Sequence, residues 1–341
     1  MRALVEMLCG LPGAASAEDA VRAVLLQRAK AAADEVRVDA MGSVIVSKHG
    51  RRSGGPRLAL CAHMDEVGLI IRTIEAEGHL RFSCIGPIDR RVLIGKPVRV
   101  GPKGIPGVIG LKAYHLVSEE EEQIVPKTDS LYIDIGADSR EKAEEQVSLG
   151  DICVFDTKAE PFGNGLIKAK ALDSRVGCAV LLKLMEEELP LDCDLIFSTQ
   201  KKVGHRGAFG AAFSTKPEIA LVLDGASAAD LPGVRPHQQG CQVGQGPVLS
   251  LMDRGMIADR ALFELLRSLA EEDHIPWQFQ RPDADDSDAG TIQRTRNGIR
   301  TVTLGIPVRY LDTPAAVASL QDIEQMLALT RAFIGTVTDR V

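Results

Sequence analysis

No stretch of the chain approaches the roughly 20 consecutive apolar residues that a membrane helix needs, so a membrane-spanning protein is not expected. An excess of basic residues is missing too. The formal net charge is -7 and the pI near 5.6; without a broad cationic surface for phosphate backbones, nucleic acid is excluded as the main partner. The seven cysteines, at positions 9, 61, 84, 153, 178, 193 and 241, contain no CxxC pair and leave an odd one over. That removes a zinc knuckle and a disulfide framework, and favours reduced thiols in a cytoplasmic protein. A secretory leader is not expected, because Glu6 interrupts any apolar core near the start. Internal repeats and low-complexity segments are absent as well. What is present, 45% hydrophobic and 26% charged residues over 341 positions, matches an ordinary globular protein with room for about two domains.

Residues 17–33 place Val21, Val24, Leu25 and Ala32 at helical spacing, with Ser16 as a candidate cap. Val36–Asp39 and Val44–Ser47 read as a hairpin about Met41-Gly42, and Arg51 to Pro56 as a polar turn. Leu58-Ala59-Leu60-Cys61-Ala62 is a continuous apolar run, a central strand that delivers His63-Met64-Asp65-Glu66 at its end. From about Gly68 to Gly163 short β-prone runs (69–71, 98–100, 107–109, 131–135, 152–155) alternate with Gly/Pro turns, which predicts a small β-barrel inserted into an α/β domain. The expected division is 1–67 with 164–341 as the α/β domain and 68–163 as the insertion. Glu119 to Glu122 reads as a solvated loop, and His115 as structural. Beyond Gly165 an apolar helix is expected over Val176–Met185, a buried strand over Ile219–Asp224, an amphipathic helix over 258–272, a last strand over Arg300–Gly305 and a closing helix from about Ser319.

The stretch that decides the chemistry is Ser198-Thr199-Gln200-Lys201-Lys202-Val203-Gly204-His205-Arg206-Gly207-Ala208. It follows the short apolar run Asp194-Leu195-Ile196-Phe197 and precedes a helix of small residues, so both lysines fall at a strand's carboxyl end. In open α/β sheets ligands bind along that edge. His63 with Asp65, Lys201 with Lys202, Asp224, and Asp312 a little past its strand all converge there, while Asp173 opens a helix. Singly, each has an ordinary structural use; together they form a candidate metal or catalytic site.

Four blocks, His63-Met64-Asp65-Glu66-Val67-Gly68, Ala171-Leu172-Asp173-Ser174-Arg175-Val176-Gly177-Cys178, Leu251-Met252-Asp253-Arg254 and Ile306-Pro307-Val308-Arg309-Tyr310, resemble the glutamyl or deblocking aminopeptidases of tetrahedral (TET) type, in that family's order. The resemblance spans nearly the whole chain. It implies a metallo-aminopeptidase-type α/β/α sandwich with an inserted β-barrel, and removal of N-terminal residues from peptides at a two-metal site. It also implies assembly as a dimer or tetrahedral dodecamer, alone or with an active relative. By the same resemblance His63 and Asp224 are ligands of one metal, Asp65 orients His63, and Asp173 bridges both metals. At the positions of the family's adjacent glutamates, the general base and a ligand of the other metal, this chain has Lys201 and Lys202; at the last histidine ligand it has Asp312. The turn before the family's Asp-Ala-Gly is altered to Asp285-Asp286-Ser287-Asp288-Ala289-Gly290.

Two glutamates becoming lysines add four positive charges to the pocket, and Asp312 for a histidine returns one, nearly the charge a pair of divalent ions would bring. Lys202 is therefore expected at the place of the lost ion, neutralised by Asp173 and Asp312, since an unpaired buried ammonium would cost several kcal/mol. His63, Asp173 and Asp224 still offer three ligands with one open position, the count of a catalytic zinc site. The cofactor expected is thus at most one divalent metal, zinc or cobalt. General-base assistance is typically worth about 10²–10⁴ in rate, and Lys201 could supply it only if neutral. A weak or inactive enzyme is expected, with a one-metal hydrolase as the alternative. His79, His205, His237 and His274 have no matching partners in sequence and are expected to be structural.

Overall fold

The computed structural model describes residues 1–52, 55–280 and 286–340. Ser53, Gly54 and Asp285, parts of two turns singled out above, lie outside the described residues.

Four parallel strands run side by side at the centre of an eleven-stranded sheet: Cys193–Ser198, Leu58–His63, Ile219–Ser227 and Arg300–Arg309. All six residues of Leu58–His63 are buried, as a strand covered on both faces requires. The hairpin Glu35–Val38 with Val44–Lys48 extends one side antiparallel; Ala316–Ser319, Leu166–Ala169 and Glu160–Phe162 extend the other. Successive side chains of a strand point to opposite faces. Ala62 meets the helix Leu172–Met185, where a Cβ on Gly177 would stand 2.8 Å from Ala62 Cβ. Cys61 Sγ instead faces Asp288 in the helix Asp288–Gln293, at 3.9 Å. The two helices therefore cover opposite faces, and the layers are helix, sheet, helix.

A closed barrel of six antiparallel strands lies between Gly68 and Phe155, in the order Gly68–Ile74, Leu80–Ile85, Tyr132–Asp134, Ile105–Gly110, Pro97–Val100 and Ile152–Phe155. Its core, around Leu69, Phe82, Val98, Ile133 and Phe155, is separate from the core of the large sheet. All seven cysteines are free thiols, and among the described residues no helix is long and apolar enough to cross a membrane.

Several local expectations are corrected. Ser16 is not a helix cap: it has φ 73, and the helix begins at Asp19, after Glu18. Glu18 is buried, and its carboxylate accepts the N–H of Ser16 and that of Gln200. Glu119–Glu122 is one helical turn rather than a loop, because Ser118 and Glu121 form a reciprocal capping box and the acids sit in the favourable first turn. His115 is exposed. The helix expected from Val176 begins at Leu172, which places Asp173 in its first turn.

Candidate functional site

Sheet register builds the site. Ser198 pairs with His63, so both strands end level, and Asp224 lies beside Gly305 on the neighbouring pair. Past Ser198 the chain turns through Gln200 (φ 55), the single turn Lys201–Val203, Gly204 (φ 112) and His205 (φ 56) into the helix Arg206–Thr215. Non-glycine residues in left-handed backbone cost free energy and cluster where surrounding structure over-determines them. Here Ala171, Gln200, His205, Tyr310 and Asp312 all do so around one site.

Asp65, wholly buried, fixes the turn: its two carboxylate oxygens accept the backbone N–H of Lys201 at 2.9 Å and of Lys202 at 2.8 Å. Burial alone would raise its pKa, but His63 and those N–H donors hold it below the usual value. His63 Nδ1 lies 3.0 Å from the Asp65 carbonyl and donates to it. Nε2 then points inward, 3.4 Å from Asp224 and 3.7 Å from Asp173, without a hydrogen-bond partner. Burial opposes the imidazolium, yet Asp224 outweighs it and raises His63 to about 9.

Lys202, 3% exposed, sets its ammonium 2.5 Å from Asp173 Oδ2 and 2.5 Å from Asp312 Oδ1. Both contacts are ionic approaches rather than aligned hydrogen bonds. Burial pushes against the charge, but the two carboxylates prevail and hold Lys202 well above a free lysine. Asp173 is lowered against its burial, mainly by Lys202. Asp312 is held above the usual range by burial, with Asp173 a like-charged neighbour adding to it. Lys201 reaches the other half of the site, 3.2 Å from Asp224 Oδ2. It too is raised, by Asp224 against burial, and Asp224 is held far down in return. The barrel closes over this cluster: a Cβ on Gly86 would stand 3.2 Å from Lys202 Cβ. Among the described residues no group of three or more His, Cys, Asp and Glu has the disposition of a metal cage.

All seven residues proposed from sequence, His63, Asp65, Asp173, Lys201, Lys202, Asp224 and Asp312, are thus in one cluster. His205, expected from sequence to be structural and without matching partners, instead lies between two carboxylates. Its ring nitrogens lie 3.0 Å from Asp288 and 3.0 Å from Asp286, and Asp288 also accepts the Ser198 hydroxyl at 2.5 Å. Partners more than 80 positions away leave no local pattern; the acidic run 285–288 was the one available signal. His79 packs edge-on against Tyr132 in the barrel. A cleft of about 620 Å³ opens from the cluster to solvent, walled by Lys201, Lys202, His205, Arg254, Tyr310 and Asp312 among others.

This arrangement sets two ammonium groups against the carboxylates of Asp173, Asp224 and Asp312. The comparisons give its ancestry. A protein of Acetivibrio thermocellus, named only provisionally as an aminopeptidase, is 36% identical over 328 residues, covering 96% of each chain. The aminopeptidase APDkam598 of the archaeon Desulfurococcus kamchatkensis superposes with a TM-score of 0.94 at 34% identity, over 99% of this chain and 95% of that one. The TET1 peptidase of Pyrococcus horikoshii, which can assemble into a tetrahedron or a large octahedral shell, gives 0.86 at 31% identity, over 98% and 99%. With residues 42–329 also matching the model of the M42 glutamyl aminopeptidases, the chain belongs to that family.

Proposed function

We propose that this chain is an M42 protein in which N-terminal peptide hydrolysis has been largely or wholly lost, while the fold, the substrate cleft and self-assembly are kept. The observation that carries this is the Lys202 ammonium, 2.5 Å from each of Asp173 and Asp312. Two-metal hydrolysis needs ions about 3.5–4 Å apart, and the residues present do not fit such a pair. The carboxylates that would hold the second ion are neutralised by a covalently tethered cation.

The decisive measurement is metal content with activity. Purified protein is expected to hold less than one ion per protomer and to leave aminoacyl amides intact. The variant K201E/K202E/D312H, which restores the family's residue types, is expected to bind two metals and gain aminopeptidase activity. If the unmodified chain already matched that variant, the proposal would fail. One observation favours a one-metal hydrolase as the alternative: His63 Nε2 is buried, unpartnered and aimed between Asp173 and Asp224. One tightly bound zinc or cobalt ion together with amide hydrolysis by the unmodified chain would select it.

We also propose the division into 1–67 with 164–341 and an inserted 68–163, and a homo-oligomeric state like that of the Pyrococcus horikoshii relative. Light scattering on the eluting protein should give a dimer or dodecamer; a monomer at micromolar concentration would count against it.

A further inference from the structure

We infer that the cleft over Lys201 and Lys202 binds a carboxylate-bearing peptide end rather than a free amine. The inference rests on the metal-poor reading of the site just given. The wall acids each face a partner: Lys202 for Asp312, His205 for Asp286, and Lys201 for Asp224 behind them. Not all the donors do. Arg254 is exposed on the wall and, among the described residues, has neither an ion pair nor a hydrogen bond. The Tyr310 hydroxyl is likewise without a hydrogen bond, on a side chain 48% exposed. Lys201, 10% exposed, has three donor positions and a single carboxylate contact.

Arg254 is also held in place. The Asp253 carboxylate accepts the N–H of Gly255 and Met256 and the Ser287 hydroxyl, so the turn presenting the guanidinium is pinned on both sides. Among the described residues, the wall side chains left without a partner, Arg254 and Tyr310, both present a donor, one of them cationic, and so suit an anionic acceptor. Arginine's planar fork suits a carboxylate. Pro87, Ala228, Val308 and Leu311 supply apolar wall for a small side chain beside it, and about 620 Å³ is the size of a small-ligand site. A free α-amine would instead meet Lys201, Lys202 and Arg254, and among the described residues each wall acid already faces a cationic or imidazole partner.

Calorimetric titration of the full chain with N-acetyl-alanyl-alanine, its carboxyl-terminal amide, alanyl-alanine amide and inorganic phosphate tests this. The free carboxylate should bind measurably, more weakly as salt is raised, and the amide should not. Arg254→Gln should weaken binding about tenfold or more, and Tyr310→Phe about two- to tenfold, the range for losing a charged and a neutral hydrogen bond. Both side chains are exposed and unpartnered, so neither variant threatens folding. Equal or tighter binding of alanyl-alanine amide, binding indifferent to Arg254→Gln, or binding of phosphate but not of the peptide carboxylate would each overturn the inference. Metal content of the same preparation is read separately: a stoichiometric ion defeats the preceding proposal, whereas loss of the Arg254 dependence defeats only this one.

Discussion

Lys202 is the side chain whose removal should be felt most. Its ammonium balances two buried carboxylates, and breaking a buried ion pair typically costs about 3–5 kcal/mol because a charge is left uncompensated. Lys202→Met is expected to lose stability on that scale in urea unfolding. Adding Asp312→Leu should restore part of it, since Asp173 then remains the only uncompensated acid and still has His63 nearby. If the single variant were neutral, Lys202 would not be the group neutralising these acids. His205 gives a pH signature. Burial works against its charge, but Asp288 and Asp286 outweigh that and raise its folded pKa. A raised pKa contributes stability that is complete below the unfolded value of about 6.5 and is lost as pH rises through the folded one. The melting temperature of the wild type, relative to His205→Gln, should therefore fall as pH rises above about 6.5. A difference constant from pH 5 to 9 would show that the imidazole does not titrate against those carboxylates.

At the scale of elements, the cluster depends on how closely the helix Leu172–Met185 approaches the sheet, because Asp173 rides on its first turn. Gly177 permits the approach: an added Cβ would lie 2.8 Å from both Ala62 Cβ and the Leu223 carbonyl oxygen. Gly177→Ala should cost about 1–3 kcal/mol by overpacking, measured by urea unfolding; an unchanged midpoint would mean that the helix is free to move. Such close packing explains what the sequence discloses. Leu58–His63 and Ile219–Leu223 are legible as strands because both faces are covered and apolar residues run without a break. Leu80–Ile85 is not: only Leu80 and Phe82 face the barrel core fully, and Arg81 and Ser83 break the run. Ala316–Ser319 is too small-featured to read. In the site, positions at strand ends follow from the apolar runs before them. The pairing of Lys202 with Asp173 and Asp312 follows from the family resemblance, whereas the matching of Lys201 to Asp224 and of His205 to Asp288 depends on crossovers that no local pattern encodes.

For the whole molecule, the presence of two separate hydrophobic clusters makes the barrel and the large sheet candidates for separate cooperative units. The single tryptophan provides a probe for one of them. Trp277 packs edge-on against Phe279 at 4.9 Å, and Phe279 stacks on Phe263 in the amphipathic helix Arg260–Glu272, so its fluorescence reports on the large sheet's side of the molecule. Phe82 is buried in the barrel core, and Phe82→Ala should remove about 3–5 kcal/mol from that unit. In urea, far-UV circular dichroism of the variant should then gain an early phase while the Trp277 transition keeps its midpoint. The alternative is a single shifted transition seen identically by both probes. That outcome would mean that the close approaches of barrel and sheet domain, Gly86 to the Lys202 turn and Gly68 to Ala14, couple the two cores into one unit.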